Sequence, residues 1–160
     1  MPRKLLLPHK YKKLGWLIFI PAVIAGIILL TIGMDKIVIG AKVFAIYDGE
    51  VFGNYKSFSF IYANITDTIV GILFIIGALL IGFSKEKNED EFISSLRESS
   101  LLWAVLVNYV LLIFAFAFIY GTAFFSVMLY NIFTVLIIFI GRFNYVLYRS
   151  FKSMSNEKHH

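Results

Sequence analysis

The chain has 160 residues, of which 59% are apolar and only 16% charged, against roughly half and a quarter in ordinary soluble domains. A soluble fold of this length has too much surface to hide such an excess, so lipid is the expected solvent. The lack of cysteine excludes disulfides, thiolate metal sites and thiol catalysis. The net charge of +5 sits at the ends of apolar runs, which points to lipid headgroups and argues against direct nucleic-acid binding.

In chain order, a basic segment with Arg3, Lys4, Lys10, Lys12 and Lys13 precedes the first apolar run, residues 14–33. Twenty residues without a charge, at about 1.5 Å each, cross a hydrocarbon core of roughly 30 Å. The run is too long for a signal-peptide core, and Gly33-Met34-Asp35 is a poor cleavage site, so it reads as an uncleaved first span. Pro21 is tolerable in a packed bundle and is expected to kink the helix. Ala22-x-x-x-Gly26 here, and Ala78-x-x-x-Gly82 further on, have the small-residue spacing that lets helices approach closely, within the bundle or between copies.

The outer loop, residues 34–64, follows. Lys42-Val-Phe-Ala-Ile-Tyr47, Asp48-Gly49 and Glu50-Val-Phe52 predict a β-hairpin on a two-residue turn, with Phe58, Phe60 and Tyr62 alternating behind it. A lone hairpin is marginal in water, so it is expected to rest on helix ends or headgroups. A packed connector is the plainer reading of this loop, and a ligand-sensing lid the sharper one.

Residues 65–83 form the second span, opened by Asn64-Ile-Thr-Asp67 in the layout of a helix N-cap with Asp67 at the third helical position. There a carboxylate faces free N–H groups and the positive end of the helix dipole. Capping is the preferred role for Asp67, and an intramembrane ion or proton site is the alternative. Asn64-Ile-Thr66 also fits a glycosylation pattern, but it lies too near the membrane surface to be used.

The inner loop, residues 84–100, carries Asn88-Glu-Asp-Glu91, a capping pattern with acids in its first turn. Phe92, Ile93 and Leu96 then recur at helical spacing, so one helix is expected from Asn88 to Tyr120, containing the third span at 101–120. Glu89, Asp90, Glu91 and Arg97 are the candidate docking face for a cytoplasmic partner, the plainer alternative being a solvated helix start that skims the headgroups. Gly121 breaks a tight hairpin into the fourth span, 122–141, and Arg142, Tyr145, Arg149 and Lys152 fall on one face of its continuation. Asn108 and Asn131 lie thirteen and ten residues from Gly121 on these two helices, at comparable depth. An amide–amide hydrogen bond that fixes register is the preferred reading, and a polar cavity for a small ligand the alternative.

Twelve Lys and Arg fall on the side of the termini and inner loop, against Lys36, Lys42 and Lys56 on the other, which places both ends in the cytoplasm. No histidine lies in a span, so Ser100 and Ser126 lack an imidazole base and haem ligation has no axial pair. There is no HExxH, Walker or dinucleotide motif. No enzyme, cofactor or metal is expected.

Beyond these patterns, the chain resembles a group of small bacterial four-helix inner-membrane proteins. The likeness rests on Leu-Pro-His-Lys-Tyr-Lys-Lys-Leu-Gly-Trp16, Asn-Ile-Thr-Asp67, Ser-Lys-Glu-Lys-Asn-Glu-Asp-Glu-Phe-Ile93 with Ser-Leu-Arg97, Ala-Val-Leu-Val-Asn-Tyr109 and Arg-Phe-Asn144. Such proteins are similar to membrane partners encoded beside helix-turn-helix regulators, which implies a membrane-side modulator. The expected fold is thus an all-α membrane protein, a single domain of four transmembrane helices in an antiparallel bundle with a hairpin-like outer loop. The expected function is a non-enzymatic accessory or regulatory protein of the bacterial inner membrane. The alternatives are a small homo-oligomeric transporter or channel using Asp67, Asn108 and Asn131, and a purely structural, lipid-organising protein.

Overall fold

The computed structural model describes residues 6–33, 36–49 and 55–157. Its elements run α1 (Lys10–Ile32), β1 (Gly40–Gly49), β2 (Tyr55–Asn64), α2 (Thr66–Phe83), α3 (Glu91–Phe118) and α4 (Thr122–Glu157). All four helices are long and apolar enough to cross a membrane. Within their most apolar stretches only 11% to 33% of residues are buried, and Leu17, Leu102 and Phe118 project outward. A surface this apolar suits lipid as the solvent. The chain separates into two compact units, Ile18–Phe74 in one and Met1–Leu17 with Ile75–His160 in the other.

In the unit Ile18–Phe74, β1 and β2 pair antiparallel, with Lys42 opposite Tyr62 and Phe44 opposite Phe60. The reversal does not fall at Asp48-Gly49 as the turn chemistry predicts. Asp48 pairs with Lys56 and Gly49 with Tyr55, so the strands are still paired at Asp48-Gly49, and the predicted return strand Glu50-Val-Phe52 lies outside the described residues. A turn at 48–49 would have set Phe44 opposite Gly53. The observed register instead pairs two phenylalanines, whose ring centroids lie 5.3 Å apart, and cross-strand aromatic pairing outweighs a local turn preference. The base of the sheet is bolted to the start of α2. Ile39 N–H donates to Thr66 Oγ1 at 2.9 Å, Ile65 N–H donates to the Ile39 carbonyl at 3.0 Å, and Asn64 Oδ1 accepts from Thr66 N–H at 3.1 Å. Between the helices of this unit, Phe19 meets Phe74 with centroids 5.0 Å apart. Gly33, at φ +101°, ends α1 in a conformation that glycine adopts without strain.

In the other unit, α3 and α4 form a helical hairpin. Ile119 N–H closes α3 on the Ala115 carbonyl at 2.9 Å, and Gly121 turns the chain at φ +72°, as its position predicts. α3 starts at Glu91 and ends at Phe118, later and earlier than expected from Asn88 to Tyr120. Its N-cap is Asp90, whose Oδ1 accepts from Ile93 N–H at 2.8 Å. Asp and Asn cap about equally well, and Glu89 is held elsewhere, as described below. The core of this unit is Ala78, Ile81, Ile93, Ala104, Phe139 and Phe143, all essentially buried. Gly15 lies against the backbone of Ile81, and Gly82 lies against the ring of Phe139. A Cβ at either position would fall within 3 Å of those atoms. α4 continues past Gly141 through 36 residues in all, or about 54 Å, well beyond a hydrocarbon core.

Candidate functional site

Among the described residues, the densest polar chemistry gathers where the N-terminal arm, the end of α2, the start of α3 and the middle of α4 meet, all in the unit containing α3 and α4. The arm is stitched to the chain leaving α2. Leu7 N–H donates to the Phe83 carbonyl, Lys85 N–H donates to the Leu7 carbonyl, both at 2.9 Å, and His9 Nδ1 donates to the Lys85 carbonyl at 2.9 Å. The first turn of α1 then carries Lys12 inward. Its ammonium pairs with Glu86, lies 3.5 Å from Asn144 Oδ1 and sits 5.7 Å from the Phe143 ring centroid. Asn144 holds that oxygen in place by donating its amide to the Ile140 carbonyl at 2.8 Å.

A second ion pair lies on the same phenylalanine. Arg97 grips Glu89 through two bonds, Nη1 to Oε1 at 2.7 Å and Nη2 to Oε2 at 3.1 Å, and donates to the Ser84 carbonyl at 3.2 Å. Its guanidinium carbon is 5.1 Å from the Phe143 centroid. Glu86 N–H adds a bond to Glu89 Oε2 at 2.7 Å. Arg97 and Lys12 are only 7% and 9% exposed, so these are desolvated pairs, tolerable because each charge has an opposite partner and Lys12, Glu89 and Arg97 each have a further hydrogen bond, although Arg97 Nε is buried without one. Two cations and two carboxylates balance around one aromatic ring. Chemically the arrangement is a clamp that holds four chain segments together.

The four residues predicted as a docking face thus divide. Glu89 and Arg97 face each other in the clamp, Asp90 caps α3, and Glu91 is exposed. On the outward side of α3, Ser95, Glu98, Ser99, Leu102, Trp103 and Leu106 line an open groove, and Arg142 stacks over Trp103 at 4.4 Å.

The intramembrane candidates also divide. Asn108 and Asn131 exchange two amide hydrogen bonds, both 3.1 Å. Asp67 occupies the first turn of α2, exposed, while Asn64 takes the Thr66 N–H. Among the described residues, no group of three His, Cys, Asp or Glu side chains is placed to hold a metal.

Lys12, Glu86, Phe143 and Asn144 are site residues that sequence reasoning missed. Lys12 looked like one more headgroup cation in a basic segment. The signal that separates it is phase: Lys12, Gly15, Phe19, Ala22, Gly26 and Leu29 share one stripe of α1, and that is its inward stripe. Lys10 and Lys13 lie off it and are exposed. Arg97 shares a stripe of α3 with Ile93, Ser100 and Ala104 in the same way. Comparison with protein-family models, curated proteins and solved structures found no match to this chain.

Proposed function

We propose that this chain is a non-enzymatic accessory or regulatory protein of the bacterial cytoplasmic membrane. It crosses the bilayer four times as an antiparallel bundle, with both termini inside. It acts by presenting the first turns of α3 to a cytoplasmic protein partner, for which a helix-turn-helix regulator is the candidate. One observation carries this reading. The start of α3 is held rigid by the Asp90 cap and the Glu89–Arg97 pair, while Glu91, Phe92, Ser95, Glu98 and Ser99 all face outward. A rigid face of two acids, an exposed aromatic ring and small polar residues loses little conformational freedom on binding, which favours recognition.

The test is a pull-down with detergent-solubilised full-length chain, comparing wild type with Glu91→Ser/Phe92→Ser/Glu98→Ser. This variant leaves Glu89, Asp90 and Arg97 untouched. A protein recovered with wild type and lost with the variant is the expected result. Equal recovery of every co-purifying protein would count against the face. Asn108 and Asn131 enter this reading as register-fixing contacts, since each amide satisfies the other.

A further inference from the structure

The β1–β2 hairpin carries a row of large, exposed side chains on one face. Phe44, Ile46, Phe58, Phe60 and Tyr62 share one face of the sheet and are 54% to 79% exposed. On the other face Ala41, Val43, Ala45, Ser59, Ile61 and Ala63 are half-buried. The rings associate with one another, Phe44 lying 5.3 Å from Phe60 and 6.5 Å from Phe58 between centroids. Tyr62 also lies across Gly40, where an added Cβ would fall 2.6 Å from its hydroxyl oxygen. Phe58 also holds a left-handed backbone at φ +52° in mid-strand, which a bulky residue adopts only against strain. Such strain persists when surroundings enforce it, and Phe58 is 72% exposed.

We propose that this aromatic face docks on the phospholipid interface of the bilayer, so that the hairpin is a membrane-surface element and not a free loop. The proposal rests on the reading of α1 and α2 as membrane spans. Continuity points to lipid as the occupant. Ile32 at the end of α1 is exposed, and so are Ile37, Val38 and Ile39, which lead into β1. At the other side only Ile65 separates β2 from α2, and the bonds among Ile39, Asn64 and Thr66 leave no slack linker. The face therefore begins at the end of an apolar helix. Its chemistry also suits the interface: phenylalanines and a tyrosine at headgroup depth, with the Lys42 ammonium 5.8 Å from the Phe60 ring and able to reach outward along its own stem. Among the described residues each strand has one partner, so a second copy could add at an edge. Edge pairing would leave the ring-bearing face uncovered.

The chain contains no cysteine, so single nitroxide labels report cleanly from the full-length protein in phosphatidylcholine nanodiscs. Labels would be placed by Phe44→Cys, Phe60→Cys and Tyr62→Cys on the aromatic face, by Ala45→Cys on the opposite face, and by Ile24→Cys on the outer surface of α1. Collision with dissolved oxygen and with an aqueous nickel chelate is then compared. The expected result is that labels 44, 60 and 62 collide several-fold more with oxygen than with nickel, that label 45 does the reverse, and that label 24 is lipid-buried. If label 24 is buried while 44, 60 and 62 are as nickel-accessible as 45, the docking fails and the spans stand. If label 24 is itself nickel-accessible, the spans fail and the docking with them. Dipolar broadening at 44 or 60 that disappears on dilution with unlabelled chain assigns the face to a second copy and overturns the proposal.

Discussion

Replacing Arg97 with Met asks whether the clamp is buried as the geometry requires. Methionine keeps most of the stem volume and removes the guanidinium. Glu89 is then left with one donor, the Glu86 N–H at 2.7 Å, in a site where its side chain is 13% exposed. The loss includes both Arg97–Glu89 bonds, the bond to the Ser84 carbonyl and the contact with Phe143. Breaking a buried pair from one side costs about 3–5 kcal/mol, because the remaining charge is stranded. Glu89→Gln is milder, about 1–3 kcal/mol, since the amide keeps the shape and one acceptor. Combining the same two changes, Arg97→Met with Glu89→Gln, leaves no charge stranded, so the double variant should be far less unstable than the singles predict. The four proteins would be compared by reversible unfolding in mixed micelles with increasing dodecyl sulfate, followed by far-UV circular dichroism. A Met substitution costing under about 1 kcal/mol, or single effects that add to within about 0.5 kcal/mol, would mean that water reaches the pair. Arg97 would then return to the surface, and the division of the docking face would be wrong.

Gly15→Ala should destabilise the fold by about 1–3 kcal/mol through overpacking, because the new Cβ meets the Ile81 backbone nitrogen and Leu80 Cβ at 2.9 Å. Helix propensity alone predicts a gain of about 1 kcal/mol, so the sign of the change in the same unfolding assay decides. Gly82→Ala should cost less if the Phe139 ring can shift, since its nearest contact at 2.5 Å is a ring edge and not backbone; the two variants compared side by side measure that difference. Asn108→Leu should cost about 1 kcal/mol or less, and Asn131→Leu added to it should cost little more, because the amide it would strand is already gone. Asp90→Ala should cost about 1 kcal/mol and speed amide hydrogen exchange at Ile93, with no effect at Asn108.

The amides were legible because counting residues from a glycine turn down two antiparallel helices is geometry that needs no tertiary information. The four helices were legible for a similar reason, since continuous apolar length is a one-dimensional property. What failed was local chemistry with a stronger competitor. Asp48-Gly49 is a good turn dipeptide, but the pairing of Phe44 with Phe60 set the register and moved the reversal beyond it. Asn88 is a good cap, but Asp90 serves equally well and leaves Glu89 free to reach Arg97. The clamp was not legible as a site because its parts lie in four separate segments, each plausible alone as a headgroup contact. Only the phase of Lys12 and Arg97 on their helices marked them as inward-facing, and phase is easily overlooked in helices that are apolar on every side.

Apolar helices in lipid gain little from hiding apolar surface from one another, since lipid tails serve as well. Dispersion packing alone therefore discriminates weakly between one register and the next. The polar contacts of the unit holding α3 and α4 supply what packing lacks. Asn108 with Asn131 sets the register of α3 against α4, and Arg142 over Trp103 sets it again further along. Lys12 with Glu86 fixes the first turn of α1 to the chain leaving α2, and Arg97 with Ser84 and Glu89 fixes that chain to α3. Each contact is modest or costly taken singly, but a helix that slides by one turn loses its partner outright. The outward face of α3 is thus set in place by groups that face inward, and the partner proposed for that face would meet a surface fixed in advance.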